Sequence, residues 1–227
     1  MKIDAQLLVW LKGTDLFAST AYLTLVDKMG YSDRLAGIKR FDYFRFELNG
    51  ANGRPADGPP ENLVTSLKGV LDRQSTFYNR NKHAYTLECS WGDSDHLEGP
   101  SRAEIQERWM TEISKTLQNQ TVADLSGKQR HGEGIFNEFK GFLAEVSVED
   151  EDPSARESVA TKLRSGLGGL GVTCTNRATL WWLALFVPSR EEAGELAKEI
   201  AITARRDSGL LMNPNYQSAE FKSVKQL

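Results

Sequence analysis

The sequence predicts an α+β fold built from two tandem copies of one strand-helix-strand-helix-strand unit. Extended and helical periodicities alternate in that order from Ala5 to Trp91, and the same order returns from Phe142 to Val224. The apolar share, 40% of residues against 26% charged, is ordinary for a chain with a packed core. The expected division is a first unit at residues 1–95, a connector helix and linker at 96–139, and a second unit at 140–227. A small sheet with helices on one face leaves its other face bare. A second copy is expected to cover it, giving a pseudo-dimer with antiparallel sheets inside one chain.

Within the first unit, Ala5 to Lys12 is rich in β-branched and aromatic residues and reads as a strand. Asp15 is placed to cap a helix to Met29, whose apolar positions Leu16, Phe17, Tyr22, Leu23, Val26 and Met29 recur at helical spacing before Gly30 stops it. Leu35 to Leu48 is extended, either as one bent strand or as a hairpin turning near Arg40-Phe41-Asp42. Asn49 to Pro60, with glycines at 50, 53 and 58 and prolines at 55, 59 and 60, is a surface loop. Leu63, Val64, Leu67, Val70 and Leu71 mark a helix over Glu61 to Gln74, and Ala84 to Trp91 closes the unit as a strand.

The connector carries a polar helix from Arg102 to Gln118 with a narrow stripe of Ile105, Trp109, Met110, Ile113 and Leu117, which suits a helix lying on a domain. Thr121 to Glu138 reads as linker. In the second unit, Phe142 to Val148 is a strand, and Pro153 sits in the first turn of a helix to Leu167. Val172 to Val187 is extended. Ser189 and Glu192 have capping-box spacing for a helix to about Arg206, and Tyr216 to Val224 is the last strand.

The formal charge of -3 argues against a protein that draws its affinity from counterion release off nucleic acid, although it leaves room for a local basic patch. Met1 to Gln6 runs straight into a strand without the pattern of a signal peptide, so a cytoplasmic location is expected. The longest apolar run, Leu180 to Val187, falls far short of the roughly 20 residues that cross a bilayer as a helix. Cys89 and Cys174 have no CxxC partner, so they are expected to be small core residues and not zinc ligands or a disulfide.

Several segments carry a more specific pattern. A helix-ending turn reads Lys28-Met29-Gly30-Tyr31. The last helix opens on Glu191-Glu192-Ala193 and is followed by Leu210-Leu211-Met212-Asn213-Pro214 and then Ala219-Glu220-Phe221. On these residues the chain resembles the small PurS-type subunit of phosphoribosylformylglycinamidine synthase, the amidotransferase-coupled ligase of purine biosynthesis, taken twice in tandem. The first unit departs from the pattern in reading Phe77-Tyr78-Asn79-Arg80-Asn81, without the proline. Both units carry Arg40-Phe41 or Arg177-Ala178 where the family has glycine-lysine in its long strand. The resemblance covers roughly residues 5–90 and 140–225 and has no counterpart for the connector helix.

The resemblance implies ferredoxin-like, PurS-like units, no catalytic residue, no cofactor and no metal. It implies a subunit that bridges the ATP-dependent synthetase and the glutaminase and helps ammonia pass between them, with self-association as a further expectation. The positions it offers for partner contact are Asn213 and Pro214, the corresponding Asn79, and the strand residues Arg40 and Arg177.

Each of these features also has a plainer reading. Asn213-Pro214 has the chemistry of a helix stop and turn after Gly209. Gly166 to Gly171 resembles a phosphate cradle but closes a helix where a cradle would open one, which favours helix termination. His83, His96 and His131 lack metal-ligand spacing or a neighbouring nucleophile. The acidic run Glu149 to Asp152 is what a helix dipole favours ahead of its N-terminus. Trp181 and Trp182 fall on opposite faces of a strand, one toward the core and one toward the other unit or a partner. A rival reading is a tandem ferredoxin-like RNA-binding or RNA-processing protein, resting on Gly166 to Gly171, Arg205-Arg206 and aromatics able to stack on bases. A regulatory module holding a small metabolite between the units rests on the architecture alone.

Overall fold

A computed structural model describes residues 2–49, 59–74, 77–123, 140–167, 171–203 and 209–226. Strand β1 (Ile3–Leu11) leads into helix α1 (Leu16–Leu23), where the Asp15 carboxylate accepts from the Phe17 and Ala18 amides. α1 passes into a π-helical turn over Thr24–Lys28. The helix buries a face of small residues: Ala18 and Ala21 are inside, with Leu25 of the turn, whereas Leu16, Phe17 and Leu23 are exposed, against the apolar stripe expected from spacing. Of the two readings of the next segment, the single strand is correct: β2 runs without a break over Leu35–Asn49. Helix α2 (Pro60–Arg73) buries Leu63, Val64, Leu67, Val70 and Leu71, each such side chain contributing about 1.5–3 kcal/mol when fully withdrawn from water.

β3 (His83–Trp91) is followed by a strand not expected from the sequence, β4 (Ser94–Glu98). Trp91 pairs with Ser94 across the two-residue turn Gly92-Asp93, and Gly92 has φ +55, a conformation that glycine adopts without a Cβ penalty. Helix α3 (Arg102–Ala123), β5 (Lys140–Asp150), helix α4 (Ser154–Gly166) and the long β6 (Gly171–Val187) come next. Pro153 occupies the cap position of α4, and Asp152 does the capping, its Oδ1 accepting from the Ser154 amide at 2.9 Å. Helix α5 (Arg190–Ala201) begins with the Ser189 hydroxyl accepting from the Glu192 amide, and β7 (Gln217–Gln226) ends the chain.

The strands form one seven-stranded sheet in the order β4-β3-β1-β2-β6-β5-β7. β1 pairs antiparallel with both β2 and β3, and β3 with β4. This corrects the expectation that the second copy covers the face of the first: the strands of both chain halves lie side by side in a single sheet. Read outward from the β2/β6 pair, each side runs second, first, third strand of its half of the chain, and β4 is an addition at one end.

The chain divides into two compact units that do not follow its halves. The first holds residues 1–14, 41–101 and 149–179, and the second holds 15–40, 102–148 and 180–227. Both units therefore draw on β2 and β6: Phe41–Asn49 and Gly171–Thr179 in the first, Leu35–Arg40 and Leu180–Val187 in the second. In the first unit the Thr175 hydroxyl donates to the Arg45 carbonyl at 3.2 Å, and in the second the Phe186 amide donates to the Arg34 carbonyl at 2.9 Å. Ascending β2 matches descending β6, the mark of antiparallel pairing.

Each unit has its own core. In the first, α2 and α4 cover a cluster that includes Leu7, Phe44, Phe46, Leu67, Leu87 and Leu163. In the second, α1 and α5 cover Leu25, Val146, Trp181, Leu183, Leu185, Ala193 and Ile200. Thus α1 packs with strands of the later half of the chain and α4 with strands of the earlier half. α3 lies over the second unit: Ile105, Trp109 and Ile113 are buried, Trp109 stands 6.1 Å from the Trp182 ring, and Gly37 leaves room for Ile113. One of the two tryptophans was expected in the core and one against the other unit or a partner; both are buried, Trp181 in the core of the second unit and Trp182 under α3. Burial pushes the Lys39 ammonium down and Glu112 of α3 opposes that shift.

Two glycines test this packing in opposite directions. A Cβ on Gly37 would stand 3.0 Å from Ile113 Cδ1 and crowd Trp109, whereas one on Gly194, inside α5, meets nothing within 4 Å. In urea unfolding, Gly37→Val is expected to cost about 1–3 kcal/mol. Gly194→Ala is expected to add about 0.5–1 kcal/mol.

The Asp152 carboxyl is held below its usual range by the Ser154 hydroxyl first and the Ser154 amide second. A carboxyl depressed in the folded state contributes stability fully above its unfolded value and loses it as pH falls through the folded one. Hydrogen-exchange protection in the first turn of α4 is therefore expected to drop on acidification through that range, and Asp152→Asn is expected to flatten the response.

Candidate functional site

Each of the two compact units holds a turn of the same construction just before a strand. In the first unit Asn79 Oδ1 accepts from the Asn81 amide at 2.9 Å, and the Asn79 carbonyl accepts from the Lys82 and His83 amides. The Asn79 amide in turn donates to His83 Nδ1 at 2.9 Å. In the second unit Asn213 Oδ1 accepts from the Asn215 amide at 3.0 Å, its carbonyl from the Tyr216 and Gln217 amides, and its own amide donates to Gln217 Oε1 at 3.1 Å. Short asparagine side chains favour this geometry because they replace a backbone carbonyl in the turn. Both turns share the spacing Asn-x-Asn, with the strand starting four residues after the first asparagine. Sequence reasoning saw the two asparagines as matched positions but not the repeated hydrogen-bond pattern.

Upstream of the second turn, Leu210 to Met212 has a structural task. α5 stops at Ala201, short of the expected Arg206, and residues 204–208 lie outside the described residues. The Leu210 amide donates to the Ile200 carbonyl at 2.8 Å, and the Leu211 and Met212 amides donate to the Ala201 carbonyl. Met212 and Ile202 then form a parallel bridge. The last carbonyls of a helix have no partner inside it, and here backbone from beyond the helix supplies one. Gly209, at φ +72, passes so close that a Cβ would lie 1.8 Å from the Ile202 carbonyl oxygen. The segment is therefore a returning cap for α5, where the sequence had suggested a stop at the end of a longer helix.

The partner-contact positions have unequal surroundings. Asn213 and Pro214 are exposed on their turn. Asn79 is half-buried and held by the hydrogen bonds just given. Arg40 is committed to α1: its Nε donates to Asp15 Oδ2 at 3.0 Å and its guanidinium lies 5.1 Å above the Phe17 ring. Arg177 is exposed, with Nη1 3.5 Å from the Ala155 carbonyl at the start of α4. Among the described residues no hydrogen bond or ion pair joins any two of these five side chains.

A basic cleft of about 460 Å3 opens beside the first turn, lined by Lys12, Lys68, Asp72, Tyr78, Arg80, His83, Ala84 and Tyr85. The Tyr78 and Tyr85 rings stack at 4.5 Å. Asp72 takes the Tyr78 hydroxyl and an Arg80 Nη2 contact, and burial followed by the Asp72 hydrogen bond raises the Tyr78 phenol. Lys68 pairs with Glu98 at 2.6 Å, which holds its ammonium above the usual value. The Lys12 ammonium donates to the Arg80 carbonyl at 2.7 Å, and its backbone amide donates to the Lys82 carbonyl at 2.8 Å. In the second unit a groove of about 430 Å3 has the opposite character, with Glu191, Glu192, Glu195 and Glu199 facing Arg34 over Phe186, Val187, Pro188 and Leu196.

Among the described residues no group of three or more histidine, cysteine or acidic side chains is arranged to hold a metal. Both cysteines are buried: burial pushes the Cys89 thiol up to about 12, and raises that of Cys174 to about 11 against the opposing charges of Arg156 and Arg177. A buried carboxylate, Glu145, accepts from Trp182 Nε1 at 2.9 Å and faces Arg102 at 3.6 Å, tying α3 to β5 and β6. No described helix is long and apolar enough to cross a membrane. Residues 168–170 of the glycine-rich loop, and Arg205 and Arg206, lie outside the described residues; Gly166 is the last residue of α4.

Comparison of the chain with protein-family models, with curated proteins and with solved structures gives no match.

If the returning segment caps α5 as the geometry indicates, Gly209 is its least tolerant position. Gly209→Ala is expected to lower stability by several times the roughly 0.5–1.5 kcal/mol of a single lost hydrogen bond that Asn213→Ala removes. Thermal melts of the two variants compare them directly.

Proposed function

We propose that this chain is a non-catalytic assembly subunit of the PurS type, a ferredoxin-like unit taken twice and fused, which joins the synthetase and glutaminase of phosphoribosylformylglycinamidine synthase. The observation that carries the reading is the doubled strand order, second-first-third outward from β2 and from β6, combined with the same asparagine turn ahead of β3 and β7. A strand-helix-strand-helix-strand chain that pairs through its long second strand gives that order as a dimer. Fusion makes the dimer covalent and removes the entropy cost of bringing two copies together.

The contact surface then lies on what the fold leaves over. Asn213 and Pro214 are exposed, and the hydrogen bonds of their turn are made internally, so a partner meets a shape already set. β7 stands last in the sheet order, and its side chains are alternately exposed and half-covered over Gln217–Glu220, which suits pairing with a strand from outside. Arg40 and Asn79 serve the fold before any partner, which concentrates contact on the second turn and on Arg177.

Sedimentation velocity on the purified chain mixed with the synthetase and glutaminase subunits from the same source, with ATP, glutamine and magnesium, tests the reading. The three are expected to sediment as one complex. Exchanging Asn213-Pro214 for Ala-Ala is expected to weaken it at least about tenfold, while Asn79→Ala leaves it within about twofold. Three independent boundaries under these conditions overturn the proposal.

A further inference from the structure

The two asparagine turns share a backbone but differ in what they carry. The first reads Asn79-Arg80-Asn81-Lys82-His83, the second Asn213-Pro214-Asn215-Tyr216-Gln217. Both hold the same hydrogen bonds, including the one from the first residue's amide to the side chain of the fifth, made by His83 Nδ1 in one and Gln217 Oε1 in the other. The turn therefore requires neither Arg80 nor His83: proline and glutamine meet its demands equally. Arg80 and His83 are thus not dictated by the turn itself, and with Lys12 they border a cleft.

We propose that this cleft binds a mononucleotide, with its phosphate on Arg80, His83 and Lys12 and its base against Tyr85. The inference stands apart from the assembly role proposed above. Because His83 Nδ1 accepts a hydrogen bond, the neutral ring carries its proton on Nε2, which leaves a donor for an anion. Arg80 is largely exposed and meets Asp72 through Nη2, leaving other guanidinium donors, and the Lys12 ammonium, with three donors, gives one to the Arg80 carbonyl. Asp72, the one acidic side chain among the described residues lining the cleft, has its charge taken up by Arg80 and the Tyr78 hydroxyl, so it does not oppose a phosphate as a bare carboxylate would.

The aromatic side of the cleft is also prepared. Tyr78 is buried and fixed by Asp72, and the half-buried Tyr85 lies against it, a platform whose orientation is set before a ligand arrives. Base stacking on such a ring is worth about 1–3 kcal/mol. The volume, about 460 Å3, falls in the range of small-ligand sites and is too small for a folded partner.

Isothermal titration of the full chain with AMP, adenosine and inorganic phosphate reads the two halves of the site separately. AMP is expected to bind at least about tenfold more tightly than either fragment, since phosphate and base contacts are both engaged. His83→Gln, which reproduces the side chain found in the second turn, is expected to keep the melting temperature and weaken AMP by about tenfold. Tyr85→Leu is expected to weaken AMP and leave phosphate unchanged. The proposal is overturned if AMP binds no better than phosphate, if His83→Gln binds AMP as the parent does, or if a 5′-phosphorylated RNA oligomer binds far more tightly than AMP. The last result would assign the cleft to an RNA end.

Discussion

The pairing of β2 with β6 is the constraint on which the rest of the structure depends. These are the two longest strands, and each serves both compact units, giving one end to the first and the other end to the second. Breaking the interior of a strand costs its ladder hydrogen bonds, so each end of a shared strand stays paired within the unit that holds it. The placement of the helices follows. α1 precedes β2 and packs in the unit that holds the start of β2; α4 precedes β6 and packs in the unit that holds the start of β6. The exchange of first helices between chain halves is thus a consequence of strand length.

The two asparagine turns lie where this framework ends. The turns at Asn79 and Asn213 stand before β3 and β7, and their hydrogen bonds are complete within the backbone and the side chains at either end of each turn. Once a turn is closed in this way, its remaining positions are free to vary. One copy uses that freedom for Arg80 beside a cleft, the other for an exposed Pro214 and Tyr216. The two copies of the turn thus share a backbone and differ in surface chemistry.

Much of this was legible in the sequence, because it depends on local rules. The stripe Leu63, Val64, Leu67, Val70 and Leu71 named α2 and its buried face, Ser189 with Glu192 marked the start of α5, and Asp15 the start of α1. What escaped depends on contacts between distant segments. Periodicity gave α1 the wrong face, since the helix packs through the small residues Ala18 and Ala21 and leaves the larger Leu16, Phe17 and Leu23 outside. The end of α5 was misplaced because its last carbonyls are met by Leu210 to Met212, which no local pattern announces. β4 has a local signal in Gly92-Asp93, a two-residue hairpin turn, but its strand is short and polar and lacks the apolar alternation that marks the others. For the candidate site, Asn79 and Asn213 were found as matched positions, whereas the cleft needs Lys12, Asp72 and Tyr85 brought together from three separate segments.

Native-state hydrogen exchange tests the shared-strand account most directly. The Phe186 amide, bonded to the Arg34 carbonyl, belongs to the second compact unit, and the amides of β1 and β3 belong to the first. If β2 and β6 bind both units into one cooperative structure, the slowest amides of both exchange through a single opening with one free energy and one denaturant dependence. Two distinct openings, one for each unit, with Phe186 exchanging while β1 and β3 stay protected, would contradict it.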